Sequence, residues 1–278
     1  MAEISASLVK ELREETGVGM MECKKALVEA NGDKTAAVKL LRERGMAIAG
    51  KKASRTANQG LVAAEVEQGG QLGVMVEVNC ETDFVAKNEI FQAFVGTIVE
   101  KAKSVQGDLA EAVQAEVVAK IAEIGENIIV RRSIRYQVQG SGTAASYIHL
   151  GGKVGVLVEV GCGKAETVKT EAFRALVKDI TLHIAACNPG YLVRTEVPEA
   201  VIQAEKEIYA KQVEGKPANI VEKIVLGKLE KFYSQVCLVE QGFVKDPEQT
   251  VTELLAAKSK ELGDDLSIRR FTRFQVGV

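Results

Sequence analysis

The chain has no tryptophan, only two histidines and four prolines, and 5% aromatic residues, too few to predict a base-stacking surface for nucleic acid. Neither sign of charge dominates: 36 Lys and Arg stand against 38 Asp and Glu, so no global basic field points to nucleic acid either. No apolar run reaches the roughly 18 residues of a membrane-spanning helix. Met1-Ala2-Glu3 lacks the basic and hydrophobic segments of an export signal, so the reading is a cytoplasmic protein with no membrane partner. The five cysteines (Cys23, Cys80, Cys162, Cys187, Cys237) are odd in number and form no CxxC pair, which predicts buried thiols in a reducing compartment. With His149 and His183 as the whole histidine supply, no metal site is expected, and His183, beside Ile180 and Ile184, reads as structural. A P-loop and a GxSxG string are both missing, and no cofactor is expected. Gly140–Ala145 spells GxGxxA, but the glycine pair Gly151-Gly152 follows instead of a helix, so it reads as a loop. These absences favour a binding protein over an enzyme.

What is present is a duplication. Shifted by 82 positions, residues 69–98 fall on residues 151–180 without a gap: GGQLGVMVEVNC on GGKVGVLVEVGC, and KNEIFQAFVGTI on KTEAFRALVKDI. Between them, Glu81–Ala86 (ETDFVA) and Gly163–Val168 (GKAETV) agree at none of six positions. A frame that is kept around a turn that changes suggests that the frame is fold and the turn is function. Val74, Val76, Val78 and Cys80 alternate with Met75, Glu77 and Asn79, the period of a half-buried strand. Gly69-Gly70 predicts a hairpin with a partner strand over 62–66. Phe91, Phe94, Val95, Ile98 and Ala102 carry helical spacing. Phe84 lies outside that stripe and follows Thr82-Asp83, which suit a helix start. It is either a core staple or an exposed anchor for a partner.

The closing strands repeat as well. IIVRRSIRYQV (128–138) matches LSIRRFTRFQV (266–276) at an offset of 138, with Arg131, Arg132 and Arg135 equivalent to Arg269, Arg270 and Arg273. Their default reading is solvated arginines on a sheet face. From Glu100 to Ile128 is 28 positions, from their equivalents Leu182 to Leu266 is 84, and the surplus of 56 holds two helical patterns joined by Gly215-Lys216-Pro217. This predicts an antiparallel helical hairpin over about 198–236. Residues 1–50 read as a three-helix bundle, capped at Ser5 or Ser7, broken at Thr16–Gly19 and restarted after Asn31-Gly32-Asp33, with the third helix ending before Gly45. Residues 46–60 lose the helical period and read as a linker or frayed helix, with the linker proper over 51–60 and with Lys51, Lys52 and Arg55 solvated. The fold class is α+β: the bundle, then a duplicated core of antiparallel sheet and helices, 61–140 and 141–278.

LREETGVGMMECKKAL and EVNCETDFVAKNEIF resemble the two signature stretches of the bacterial elongation factor Ts family, and IGENIIVRR and SYIHLGGKVGVLVEV are similar to it too. The resemblance implies a ubiquitin-associated-like bundle and a guanine nucleotide exchange factor for the GTPase elongation factor Tu. It also implies a heterodimer with that GTPase or a higher assembly, and no bond chemistry. By the same resemblance Thr82, Asp83, Phe84 and Val85 disturb the partner's Mg²⁺ site, with Phe84 as a wedge. Val18, Gly19 and Met20, the stretch Ile124, Gly125, Glu126 and Asn127, and His149 are implied as further partner contacts. Members that continue past the closing strand into another helix gain a contact that is expected to be missing here or made elsewhere. Two other readings stand beside it: an enzyme using a cleft between the copies for a nucleotide or small molecule, and a scaffold whose bundle takes ubiquitin-like partners.

Overall fold

The computed structural model describes residues 4–213, 215 and 217–278. The Ser5 hydroxyl accepts a bond from the Leu8 amide at 3.2 Å and opens α1 (Ala6–Thr16). Gly17, at φ 66°, ends it in the left-handed conformation and turns the chain into α2 (Met20–Glu29). Asp33 caps α3 (Lys34–Lys52) by accepting from Ala36 N. Val9, Leu12, Cys23, Ala26, Leu27, Ala37 and Leu41 close a small core among the three helices.

The first half of the core follows as β1 (Gln59–Val66), β2 (Leu72–Cys80), α4 (Asp83–Ala86), α5 (Glu89–Ser104), α6 (Leu109–Ala112), α7 (Gln114–Ile124) and β3 (Ile129–Gln137). Its three strands form one antiparallel sheet in the order β1-β2-β3. The second half opens with β4 (Gly142–His149), β5 (Val154–Cys162) and α8 (Glu171–Cys187), so the GxGxxA stretch runs into a strand instead of remaining loop. The inserted pair α9 (Glu199–Lys211) and α10 (Ala218–Val236) comes next, then a short ladder β6 (Gly242–Phe243) and β7 (Asp246–Thr250), α11 (Val251–Leu262) and β8 (Leu266–Gln275). The second sheet, β4-β5-β8, repeats the first down to its irregularity: the ladder slips at Glu77/Val78 in one and at the equivalent Glu159/Val160 in the other.

The third helix does not stop at Gly45. There α3 lies beside Val118 and Ala122 of α7 and continues without a break. Ala49, one turn on, packs against the first core, and the helix reaches Lys52.

Both central strands are buried along their whole length, not half-buried. Val74, Val76, Val78 and Cys80 face α5, while Met75 lies in a second core with Val62, Tyr136, Leu157 and Phe274, where the two sheets meet. Glycine permits that meeting: a Cβ at Gly73 would come within 2.8 Å of Leu157, and one at the equivalent Gly155 within 2.3 Å of Val62. Val62 N donates to Gly152 O and Ala144 N to Gly70 O, each at 2.7 Å, so the edges are tied reciprocally. Arg132 and Arg270 of the closing strands complete the joint, which corrects the solvated reading for that pair, while Arg131 is exposed as expected. Arg132 bonds Glu77 of its own sheet at 2.7 Å and lies 4.4 Å over the Phe274 ring of the other. Arg270 bonds Glu159 at 2.7 Å and lies 4.1 Å over Tyr136. Among the described residues the space where the two sheets meet is filled core, which leaves the enzyme reading no cleft there.

The inserted helices stand on one ionic root. Arg194 bonds Glu230 and Glu240 and stacks 4.6 Å from Tyr233. Lys228 of α10 bonds Gln212 and lies 5.4 Å over Tyr209, which joins the two helices farther out. No described helix is long and apolar enough to cross a membrane.

Candidate functional site

The turn after β2 is built from two consecutive caps. The Thr82 hydroxyl accepts from Val85 N at 3.3 Å and starts the single turn α4; Asn88 accepts from Ile90 N at 2.8 Å and starts α5. The redirected chain points Ala86 into the core and packs Val85 partly against it. Phe84 points the other way and is 80% exposed, which rules out the core-staple reading. Beside it, the Lys87 ammonium bonds Asp83 at 2.8 Å and holds its carboxyl below the ordinary carboxylate range, so Asp83 is an anion at neutral pH.

Beneath the turn, the Cys80 thiol donates to Thr82 O at 3.1 Å. Burial pushes its pKa up to about 12, so it remains a donor rather than a nucleophile. Glu126 holds the turn from the side, accepting from Glu81 N and Thr82 N at 3.0 Å each and from the Thr82 hydroxyl at 2.7 Å. The second half repeats this clasp with Asp264, which accepts from Gly163 N and Lys164 N at 3.0 Å and from the Thr167 hydroxyl at 2.5 Å. The Thr167 bond, more than any other contact, keeps the Asp264 carboxyl below its ordinary range.

The other residues singled out in the sequence lie as follows. Val18 is half-buried in the bundle core, Gly19 is the open N-cap of α2, and Met20 is exposed, as is its unremarked neighbour Met21. Gly17 places that turn beside Glu123 at the end of α7. Ile124 packs on the first core, Gly125 ends α7 with φ 85°, Glu126 is the clasp, and Asn127 is buried. His149 is exposed; its Nδ1 lies 3.0 Å from the Tyr147 hydroxyl, with the rings stacked at 5.7 Å. Lys153 ties the turn after His149 to Gln59 at 3.0 Å, and Gln59 pairs with Cys80, so His149 and Phe84 share one end of the molecule. Glu81, Arg55 and Lys52, absent from the expected set, also converge here: Arg55 faces Glu81 at 3.5 Å and Lys52 bonds Gly125 O, so two of the three basic residues read as solvated are engaged.

Two shallow cavities lie at equivalent places, each between a closing strand and the end of a core helix. One, of 310 Å³, lies beside Arg135 and the other, of 340 Å³, beside Arg273. Among the described residues no three His, Cys, Asp or Glu side chains converge as metal ligands.

The family model described as Elongation factor TS matches residues 81–278, from the turn to the end of the chain. Proteins named Elongation factor Ts are 46% identical in Trichlorobacter lovleyi and 45% identical in Clostridium botulinum, each alignment covering 99% of this chain and 93% of the relative. One from Nitratiruptor is 45% identical over the same shares. The capped turn, the doubled core and these full-length likenesses agree: the chain belongs to the elongation factor Ts family.

Proposed function

We propose that this protein is the guanine nucleotide exchange factor of elongation factor Tu in the cytoplasm, forming a heterodimer with the GDP-loaded GTPase. In this reading the Thr82–Val85 turn disturbs the Mg²⁺ site of the partner. The observation that carries it is Phe84: 80% exposed on a turn fixed by two caps, in the one stretch where the two copies of the core diverge. A large apolar side chain held rigidly in water is an anchor waiting for a pocket. GDP phosphates are held by backbone amides and by Mg²⁺; with the cation displaced, like charges remain crowded and GDP leaves. The exchange factor makes and breaks no bond. It only has to bind the empty GTPase better than the loaded one, and linkage then requires nucleotide to weaken the complex by the same factor. An acceleration of about 10⁴ lowers the barrier by roughly 5.5 kcal/mol. A buried Phe supplies about 2–3 kcal/mol, so Phe84 acts together with contacts from the bundle and from the His149 end.

The test is release of labelled GDP from elongation factor Tu with and without this protein. Strong acceleration is expected, with no nucleotide bound by the isolated chain. An unchanged release rate overturns the reading.

A further inference from the structure

In the second half, Asp264 clasps its turn, helped by Lys164 of the turn itself, whose ammonium donates to Gly263 O, the equivalent of Gly125 O, at 2.6 Å. The position equivalent to Glu81 is Gly163, and the amide of Asp265, equivalent to Asn127, turns back onto Asp264 at 2.9 Å. The first half adds contacts through Glu81, Asn127 and Arg55 that have no counterpart among the described residues there. Glu81 Oε1 accepts from Asn127 N at 2.7 Å, Glu81 Oε2 faces Arg55 Nη1 at 3.5 Å, and Asn127 Nδ2 donates to Arg55 O at 2.8 Å. The Lys52 ammonium closes the ring on Gly125 O. Lys52 is the last residue of α3 and Arg55 lies just beyond it. The brace therefore runs from the Phe84 turn to the helix that begins inside the bundle. The copy that carries Phe84 is braced, and the copy with GKAETV is only clasped.

We propose that Glu81 and Asn127, together with Arg55, are positioning residues for nucleotide exchange. They fix the Phe84 turn relative to α3, so that a partner gripping the bundle meets the side chain already aimed. The inference rests on the exchange-factor reading above. It also moves Asn127 and Glu126 from partner contacts to supports that act through the turn, since the carboxylate of Glu126 and the amide of Asn127 are directed inward. The backbone bonds carry the geometry. The Arg55–Glu81 pair is half open to water and contributes little by itself, whereas the Asn127 side chain, 3% exposed, is shielded. An unbraced turn would have to be ordered at each encounter, and that cost would appear in the transition state for GDP release.

The experiment measures GDP release from elongation factor Tu over a range of full-length exchange factor, giving a saturating rate and a half-saturating concentration. Glu81→Ala should lower the saturating rate about tenfold while the half-saturating concentration stays within about twofold. Glu81→Gln keeps an acceptor for the Asn127 amide and should restore most of the rate. Arg55→Ala, a surface change that leaves folding intact, should lower the same rate to a smaller degree. Phe84→Ala combined with Glu81→Ala should be no slower than Phe84→Ala alone. Parental rates for both Glu81→Ala and Arg55→Ala overturn the proposal. So does a higher half-saturating concentration at an unchanged rate, which would make Glu81 a direct contact. Phe84→Ala at the parental rate would instead overturn the wedge reading itself, whatever Glu81 does.

Discussion

A phenylalanine left four-fifths in water stabilises the isolated chain hardly at all, because its apolar surface has not been removed from solvent. Phe84→Ala should therefore change unfolding free energy by no more than about 0.5 kcal/mol, measured by urea midpoint. The same change should slow GDP release roughly 30- to 150-fold, the kinetic equivalent of losing about 2–3 kcal/mol of burial in the partner. A large fall in the urea midpoint would mean that the ring is used in the fold. That the turn differs between the two copies was legible from six mismatched positions in an otherwise gapless repeat. Which way Phe84 pointed was not, since Thr-Asp before a Phe suits a helix start with the ring inward or outward, and the second cap at Asn88 decides it. The partners of Lys52 and Arg55 were not legible for a related reason. Their acceptors, Gly125 O and Glu81, are distant in sequence, and a basic run with no carboxylate nearby looks solvated.

At the scale of elements, the two turns are interchangeable parts with unequal contents. Replacing ETDFVA at 81–86 by GKAETV keeps the backbone amides that Glu126 needs. The donor also brings a threonine hydroxyl, through Val85→Thr, to the position from which Thr167 bonds Asp264. The cost comes from Ala86→Val at a site 3% exposed, about 1–3 kcal/mol of overpacking. The chimera should fold and bind the GTPase more weakly, and should have nearly lost exchange. GDP release near the parental rate would place the function outside the turn. A second device sits under α8. Val244 N donates to His183 Nδ1 at 3.1 Å, and a backbone amide can only donate, so Nδ1 is the acceptor and Nε2–H donates to Gln241 at 2.9 Å. Gln241 is itself oriented by donating to Gln235 O at 2.7 Å, and the Cys187 thiol lies 3.6 Å from the same Nδ1. Burial lowers the His183 pKa below its ordinary 6.5, against a smaller opposing effect of the Gln241 bond. The folded chain thus binds the proton less readily than the unfolded one. The contribution is complete above about pH 6.5 and is lost as pH falls through the folded value. The melting temperature should fall more steeply between about pH 7.5 and pH 5.5 for the parent than for His183→Gln. Equal slopes would show that protonating His183 does not weaken the fold.

At the scale of the molecule, the repeat offsets announced two copies but not how they join, because alternating arginines on a strand read as a wet face. Their role depends on carboxylates and rings in partner strands. Glu77 and Glu159 are 0% and 2% exposed, and Arg132 and Arg270, which bond them at 2.7 Å, each also cover an aromatic ring of the opposite half. At this joint the two carboxylates are not neutralised alike. Glu159 is met by both Arg270 at 2.7 Å and Arg269 at 3.0 Å. Among the described residues Arg132 is the one cation on Glu77, whose other oxygen accepts from Asn79 Nδ2 and Gly277 N at 3.1 Å. Arg132→Ala therefore leaves a fully buried carboxylate without its counter-charge. It should cost about 2–4 kcal/mol, somewhat less than the roughly 3–5 kcal/mol of breaking a fully buried pair, because the arginine itself is one-third exposed. Arg270→Ala leaves Arg269 in place and should cost about half as much. Arg132→Lys restores the charge but not a flat cation over Phe274, so it should fall between the parent and Arg132→Ala. Urea midpoints of the three variants decide the matter. Equal losses for Arg132→Ala and Arg270→Ala would place the joint in the two ring contacts, which are alike, and not in the carboxylates, which are not.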